Sequence, residues 1–312
     1  MLAFLTKRIG AGLSVLLVVP SLTFLLMFGN AANAARQILG ETATPEQVAA
    51  KSAELGVNRP LYVQFFDYVE HLFVGDLGRS WFTAEPIGSL VTSRATVTLT
   101  VVIGSILVST LLAFALGIAA ALRRGALDIA LQVLAIVGFA VPGFWLALLL
   151  VSNLALQLRL FPATGFVAFT ASPSQWLASI TLPVVALMVG AVAGVAQQVR
   201  GSVIDVLEQD YVRTLRARGL PSWRVVAHVL RNASAPALTV VALTFIGTLS
   251  GAVFVERIFA LPGLGLAATN AAVNGDVPVI MGVVLVMTTI VVLVNLVVDL
   301  AIGLLNPKVR LS

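Results

Sequence analysis

Cysteine is absent from the 312 residues, which removes disulfides, cysteine-ligated zinc, iron–sulfur clusters and thiol catalysis at once. Histidine occurs only twice, at His71 and His228, with no metal-ligand spacing. Charge is scarce as well, at 11% of residues where about a quarter is usual for a soluble domain. Against 59% hydrophobic residues and a mean hydropathy of +1.03, that leaves too little polar surface to cover a water-soluble globule. Lipid is therefore the solvent for most of the chain. A net charge of +5 would suit nucleic acid, but the basic residues lie in short segments beside apolar runs rather than on a polar domain, which argues against that partner.

What the sequence does hold is a series of charge-free apolar stretches at Ile9–Asn30, Ala95–Leu122, Ile129–Leu158, Trp176–Val199, Asn232–Val255 and Val277–Val298. Each is long enough to cross a hydrocarbon layer of roughly 30 Å as a helix, which takes about 20 residues. The first follows Lys7-Arg8 and precedes the small residues of Asn30–Ala35, so it imitates a secretory signal; its length is that of a span rather than the roughly 7–15 residues of a signal core. Six spans put both termini on one side. Twelve of the nineteen Lys and Arg then lie in the inner segments and seven in the longer outer loops, so the positive-inside bias places both ends in the cytoplasm. The expected fold is an all-α integral membrane protein with six transmembrane helices, forming one domain over 1–312.

Residues 31–94 form the expected extracytoplasmic segment, helix-compatible at Pro45–Leu55 and Pro60–Phe73 and punctuated at Gly75-Asp76 and Gly78. Pro20, Pro142-Gly143, Pro183 and Pro236 are expected kinks, because a proline removes a backbone donor that lipid cannot replace.

The most charged stretch is EQDYVRTLRARGLPSWRVV, residues 208–226. Over Arg200–Leu220 the acids Asp205, Glu208 and Asp210 precede Arg213, Arg216 and Arg218, the order that complements a helix dipole. Ile204, Leu207, Tyr211 and Leu215 recur at helical spacing opposite those charges. One amphipathic helix is expected, stopped by Gly219 and Pro221, then a second short helix capped by Ser222 with Trp223, Val226, Ala227 and Leu230 on its apolar face. Lipid headgroups would account for the arginines alone. Leading acids, a glycine turn and a second stripe instead suit docking into a partner's groove.

The stretch EQDYVRTLRARGLPSWRVVAHVLRNASAP resembles the EAA loop of inner-membrane permeases of ATP-binding-cassette (ABC) importers, in the B-type subunit of the dipeptide, oligopeptide and nickel permeases. That family's pattern is close to E-D-Y-V-R-T-A-R-A-K-G-L followed by R-N-A-x-x-P. Asp210, Tyr211, Arg213, Thr214, Arg216, Ala217, Gly219 and Leu220 match it, with Arg231, Asn232 and Pro236 after them; Gln209 and Leu215 depart from it. The resemblance continues through the outer segment ELGVNRPLYVQFFDYVEHLFVGDLGRS (54–80), the turn AALRRGALD (120–128), VPGFW (141–145), GTLSGAVFVERIFALPGLG (247–265) and the tail VNLVVDLAIGLLNPKVR (294–310). A P-G-D-P-like sequence usual after the first span is replaced by Phe28-Gly29-Asn30-Ala31.

The resemblance implies a non-enzymatic permease in a bacterial inner (plasma) membrane, with the ABC type I importer architecture. Its cytoplasmic 200–231 loop would hold the coupling helix, with Asp210, Tyr211, Arg213, Thr214, Arg216, Ala217, Arg218, Gly219 and Leu220 against an ATPase. It implies a second homologous permease, two cytoplasmic ATPase subunits holding ATP and Mg, and an extracytoplasmic solute-binding protein. Pro262, Gly263 and Gly265 resist a continuous helix, so LPGLG (261–265) is expected to be a turn-rich re-entrant or surface segment, and Pro262, Gly263, Leu264 and Gly265 would form an outer-face contact or gate. The implied cargo is a dipeptide or oligopeptide, with nickel, glutathione or another small solute as the alternative. The chain has no phosphate loop of the G-x-x-x-x-G-K-[ST] type, so fuel would have to be spent by a partner. A rival class, the ion-coupled transporter, would rest on Asp299, which sits about five residues from the inner end of its span, roughly 8 Å at 1.5 Å per residue, close to the interface for a midplane site.

Overall fold

A computed structural model describes residues 2–28, 34–40, 42–123 and 125–305. The expected departure at residues 29–31, Arg124 and the basic tail beyond 305 lie outside the described residues. Twelve α-helices occur among the described residues: α1 (Leu2–Phe28), α2 (Ala34–Leu39), α3 (Pro45–Glu54), α4 (Leu61–Phe73), α5 (Ile87–Arg123), α6 (Ala126–Ala140), α7 (Gly143–Leu150), α8 (Pro173–Leu207), α9 (Asp210–Ala217), α10 (Ser222–Ile258), α11 (Leu264–Asn274) and α12 (Val277–Leu305). The long ones, α1, α5, α8, α10 and α12, are apolar enough to cross a membrane. Large side chains on them, such as Leu17, Leu111 and Leu243, are mostly exposed, as a lipid-facing surface requires.

The expected third span, Ile129–Leu158, is not one straight helix. Pro142 interrupts it, and Asp128–Ala140 meets Gly143–Gln157 at 91°, the second half finishing as a π-helical turn over Val151–Gln157. Neither half alone has the roughly 20 residues a crossing needs. Two contacts fit the bent pair as a single broken span. Asp128, at the start of α6, is ion-paired to Arg200 near the α9 end of α8. The loop after the pair donates from Gly165 N to Phe259 O at 2.9 Å, at the opposite end of α10. Counted so, the described residues hold five continuous candidate spans and one bent one. Pro20, Pro183 and Pro236 instead lie inside continuous helices, so of the four expected kinks only Pro142-Gly143 divides a span.

The chain forms two compact units, Met1–Thr6 with Thr98–Leu261 and Val294–Ser312, and Lys7–Val97 with Pro262–Leu293. In the first, α8 packs along α10 and against α6 and α7. Its core is built from small and β-branched side chains: Ala113, Ala120 and Ala121 of α5, Val195, Val199 and Val203 of α8, and Val225, Val229 and Ala233 of α10. Small residues let backbones approach closely where lipid supplies no hydrophobic drive. A Cβ on Gly117 would stand 2.7 Å from Ala196 O, so α5 meets α8 at a distance only glycine allows.

In the second unit, Thr44 and Gln47 form a reciprocal capping box that starts α3 behind Pro45. α4 lays Phe65 and Tyr68 against Phe24 of α1, and Phe28 meets Trp81 edge-on. Burial pushes the Tyr68 phenol above its ordinary pKa. The buried Asp276 carboxylate accepts from Ser80 Oγ at 2.5 Å and Trp81 N at 3.2 Å, tying the G-D-L-G turn to the start of α12. Helix α5 starts at Ile87 rather than near Ala95, because Ile87, Leu90 and Val91 are buried with Leu264, Val279 and Val283.

Gly117→Ala is expected to lower the thermal unfolding temperature in detergent, at an overpacking cost of about 1–3 kcal/mol. Gly247→Ala, whose Cβ meets nothing within 4 Å, should be neutral or stabilising.

Candidate coupling surface

Helix α8 does not run on to Leu220 as one amphipathic helix. It ends at Leu207, Gln209 adopts extended backbone (φ −71°, ψ 145°), and α9 begins at Asp210. No proline or glycine marks that break. Asp210, in the first turn of α9, complements the helix dipole. The expected stripe survives the break, since Ile204, Leu207, Tyr211 and Leu215 all pack on the α5–α8–α10 core. Val212 is fully buried there and is the main anchor of α9. Tyr211 adds a hydrogen bond, its Oη accepting from Asn232 Nδ2 of α10 at 2.8 Å.

The end of α9 is a Schellman motif. Leu220 N donates to Leu215 O at 3.3 Å and Gly219 N to Arg216 O at 2.9 Å, with Gly219 left-handed at φ +74°. Leu215 and Leu220 both pack on the core, the apolar contact that accompanies this motif. Chain reversal after so short a helix thus depends on a position that disfavours any side chain.

These contacts divide the expected site residues. Asp210, Arg213, Thr214, Arg216, Ala217, Arg218 and Gly219 are exposed, whereas Tyr211 and Leu220 are partly buried and hold α9 in place. Asp210 and Arg213 stand 3.6 Å apart with side chains 96% and 76% exposed, so their attraction is screened and both stay available to a partner. The second helix is not short. Pro221 occupies the N-cap position, no side chain caps the helix, and α10 continues from Ser222 through the fifth span. Its buried face is Val225, Val229, Ala233 and Ala237, whereas Trp223 is 68% exposed beneath the Arg224 guanidinium, 5.1 Å from its ring centre, and Ala227 is exposed. Only residues 208–221 of the expected 200–231 loop lie outside the two long helices.

The outer candidates also differ from expectation. Gly263, Leu264 and Gly265 are buried, Leu264 and Gly265 being the first residues of α11, so only Pro262 is partly exposed. The segment is a turn into a packed helix rather than a surface or re-entrant loop. Before it, Ala260 is left-handed at φ +49° and Leu261 N donates to Glu256 O at 2.8 Å. Asp299 is half-buried on α12.

Besides Asp276, two pairings escaped the sequence reading. Glu256, 1% exposed, accepts from Thr98 Oγ1 at 2.6 Å. The Arg200 guanidinium engages both carboxylate oxygens of Asp128. Their partners are 158 and 72 residues away in the chain, beyond any local pattern. Among the described residues no group of three or more His, Asp or Glu could hold a metal ion.

Residues 113–311 match the family described as the binding-protein-dependent transport system inner membrane component, and residues 1–109 match the N-terminal region described for the same kind of membrane component. The chain belongs to this family. It is 36% identical over 312 residues to a putative peptide transport system permease protein of Brucella abortus, covering 99% of each chain. It is 34% identical over 309 residues to a probable peptide ABC transporter permease protein of Sinorhizobium fredii, covering 98% of this chain and 99% of the relative. A glutathione transport system permease protein of Salmonella typhi is 35% identical over 312 residues, covering 99% of each. The binding-protein-dependent permease is thus a multi-pass membrane subunit of an ABC importer, working with an ATPase and a binding protein, and is a transport component rather than an enzyme.

Gly219→Val is expected to loosen the α9 turn, at about 1–2 kcal/mol for a left-handed residue with a side chain. Limited trypsin digestion should cut at Arg216 and Arg218 sooner in that variant, with Gly219→Asn intermediate.

Proposed function

We propose that this permease carries short peptides across the inner membrane, and that the exposed face of α9 receives the work of the ATPase. The observation behind the second part is the division of α9: Val212, Tyr211, Leu215 and Leu220 fasten it to the α8–α10 core, while Arg213, Thr214, Arg216, Ala217 and Arg218 are left for a partner. A push on that face passes directly into two spans, since only Glu208-Gln209 separates α9 from α8 and only Arg218–Pro221 separates it from α10. The excess of Lys and Arg in the segments on the α9 side supports placing α9 on the cytoplasmic side, where ATP is spent. Two ATPase subunits, holding ATP and Mg, would engage this permease and a second homologous one, with an extracytoplasmic binding protein delivering solute to the face bearing α2–α4.

Peptide is favoured as cargo by the relatives named for peptide transport. The relatives named for glutathione, itself a tripeptide, give the alternative of a modified short peptide. With Gly263, Leu264 and Gly265 buried, Pro262 is the residue of this segment left for an outer-face contact or gate.

Replacing Arg213, Arg216 and Arg218 together by glutamate is expected to leave insertion intact, abolish copurification with the ATPase and stop uptake. Dipeptide, glutathione and nickel uptake measured in proteoliposomes with the cognate binding protein separates the cargo classes. Retained ATPase binding in the triple variant would overturn the assignment of α9.

A further inference from the structure

Asp128 lies in the first turn of α6, and Arg200 seven residues before the end of α8, roughly 10 Å along the helix. The guanidinium grips the carboxylate in a two-pronged arrangement, Nε to Oδ1 and Nη2 to Oδ2, the latter at 2.7 Å. Only 14% of the Asp128 side chain and 22% of the Arg200 side chain are exposed. A half-buried pair loses part of its hydration on both partners, and apolar residues of similar size commonly hold helices together as well. What the two-pronged pair supplies beyond adhesion is direction, because a planar fork on a planar carboxylate fixes the orientation of both helices.

Farther along, α6 meets α8 with nothing larger than the Ala193 methyl between them. A Cβ on Gly138 would lie 2.9 Å from Ala193 Cβ, and one on Gly190 would lie 3.7 Å from Gly138 O. That close approach falls just before the 91° break at Pro142. Helix α6 is therefore held to α8 by charge near α9, by Leu131 in the buried core between, and by close approach near the break.

We propose that Asp128 and Arg200 are a positioning pair that transmits displacement of α9 and the end of α8 to the bent third span. The inference rests on α9 being the ATPase contact. Motion of the α8 end would drag α6 through the ion pair, and the Gly138 contact would bring that motion to the break, where the two halves can change their angle. An apolar contact at position 200 would let α8 slide past α6, and ATP would then be hydrolysed without moving the path.

The test is the ratio of solute taken up to ATP hydrolysed, measured in proteoliposomes holding the full importer. The double variant Asp128→Asn with Arg200→Gln removes the pair without leaving either charge alone. It is expected to assemble and hydrolyse ATP while uptake per ATP falls by about tenfold, within the usual range of coupling energies. The exchanged variant Asp128→Arg with Arg200→Asp should recover most of that ratio. An unchanged ratio in the neutral variant overturns the proposal, and so does loss of ATPase assembly, which would make the pair part of the docking face. The absence of cysteine allows Arg213→Cys to be cross-linked to a single-cysteine ATPase in the same background. Failure of that cross-link in the otherwise unaltered chain refutes the α9 reading, whereas a formed cross-link with an unchanged ratio refutes the ion-pair proposal alone.

Discussion

In hydrocarbon no water replaces a lost backbone hydrogen bond, so each crossing must satisfy its own peptide groups, and any interruption must be closed locally. The chain keeps Pro20, Pro183 and Pro236 inside continuous helices and breaks only at Pro142. That break is closed on both sides: Val141 N donates to Val137 O, and Trp145 N and Leu146 N donate to Pro142 O. These local bonds close part of the bent span, in the part of the molecule where α6 and α7 lean on α8. A secondary feature at the same span, the π-helical turn after α7, places Ser152 and Asn153 where their side chains bond back to Leu148 O and Leu149 O, so polar atoms on the span are also satisfied within it.

The surface helix obeys a different rule. An eight-residue helix is too short to persist in water alone, so α9 owes its shape to what it buries. Val212 and its neighbours provide that burial, Gln209 and Gly219 provide the two turns, and the tyrosine–asparagine hydrogen bond fixes its roll. Because the anchors and the charges sit on opposite sides, force applied to the charges is delivered to the packed side. A flexible loop bearing the same arginines could bind a partner but could not carry displacement.

Most of the architecture was legible because lipid makes the pattern blunt: long charge-free runs can only be spans, and the α9 charges stand out against them. The stop at Gly219 was legible for the same reason that it works, as few other residues accept its φ. The break after Leu207 was not, since Glu208 and Gln209 carry no helix-breaking signature and the turn arises from tertiary packing of the helices on either side. The face of α10 was misassigned in part: Leu230 does pack on the core, but Trp223 is large and apolar, and at a membrane surface its ring does better exposed beside Arg224, while smaller Val225 and Val229 fit the close packing. Buried carboxylates such as Glu256 and Asp276 were invisible for want of any local sign of their partners. The LPGLG segment read as a loop because glycine is ambiguous: here Gly265 permits close packing inside α11 rather than a turn.

The account stands or falls on whether the charged side of α9 is where the ATPase presses. Hydrogen–deuterium exchange of the permease, alone and assembled with its ATPase, reads this residue by residue on the unaltered chain. Slowed exchange over Asp210–Gly219 on assembly, with α8 and α10 beyond it little changed, is the predicted result. Unchanged exchange across that stretch, with protection appearing elsewhere on the same face, would contradict it.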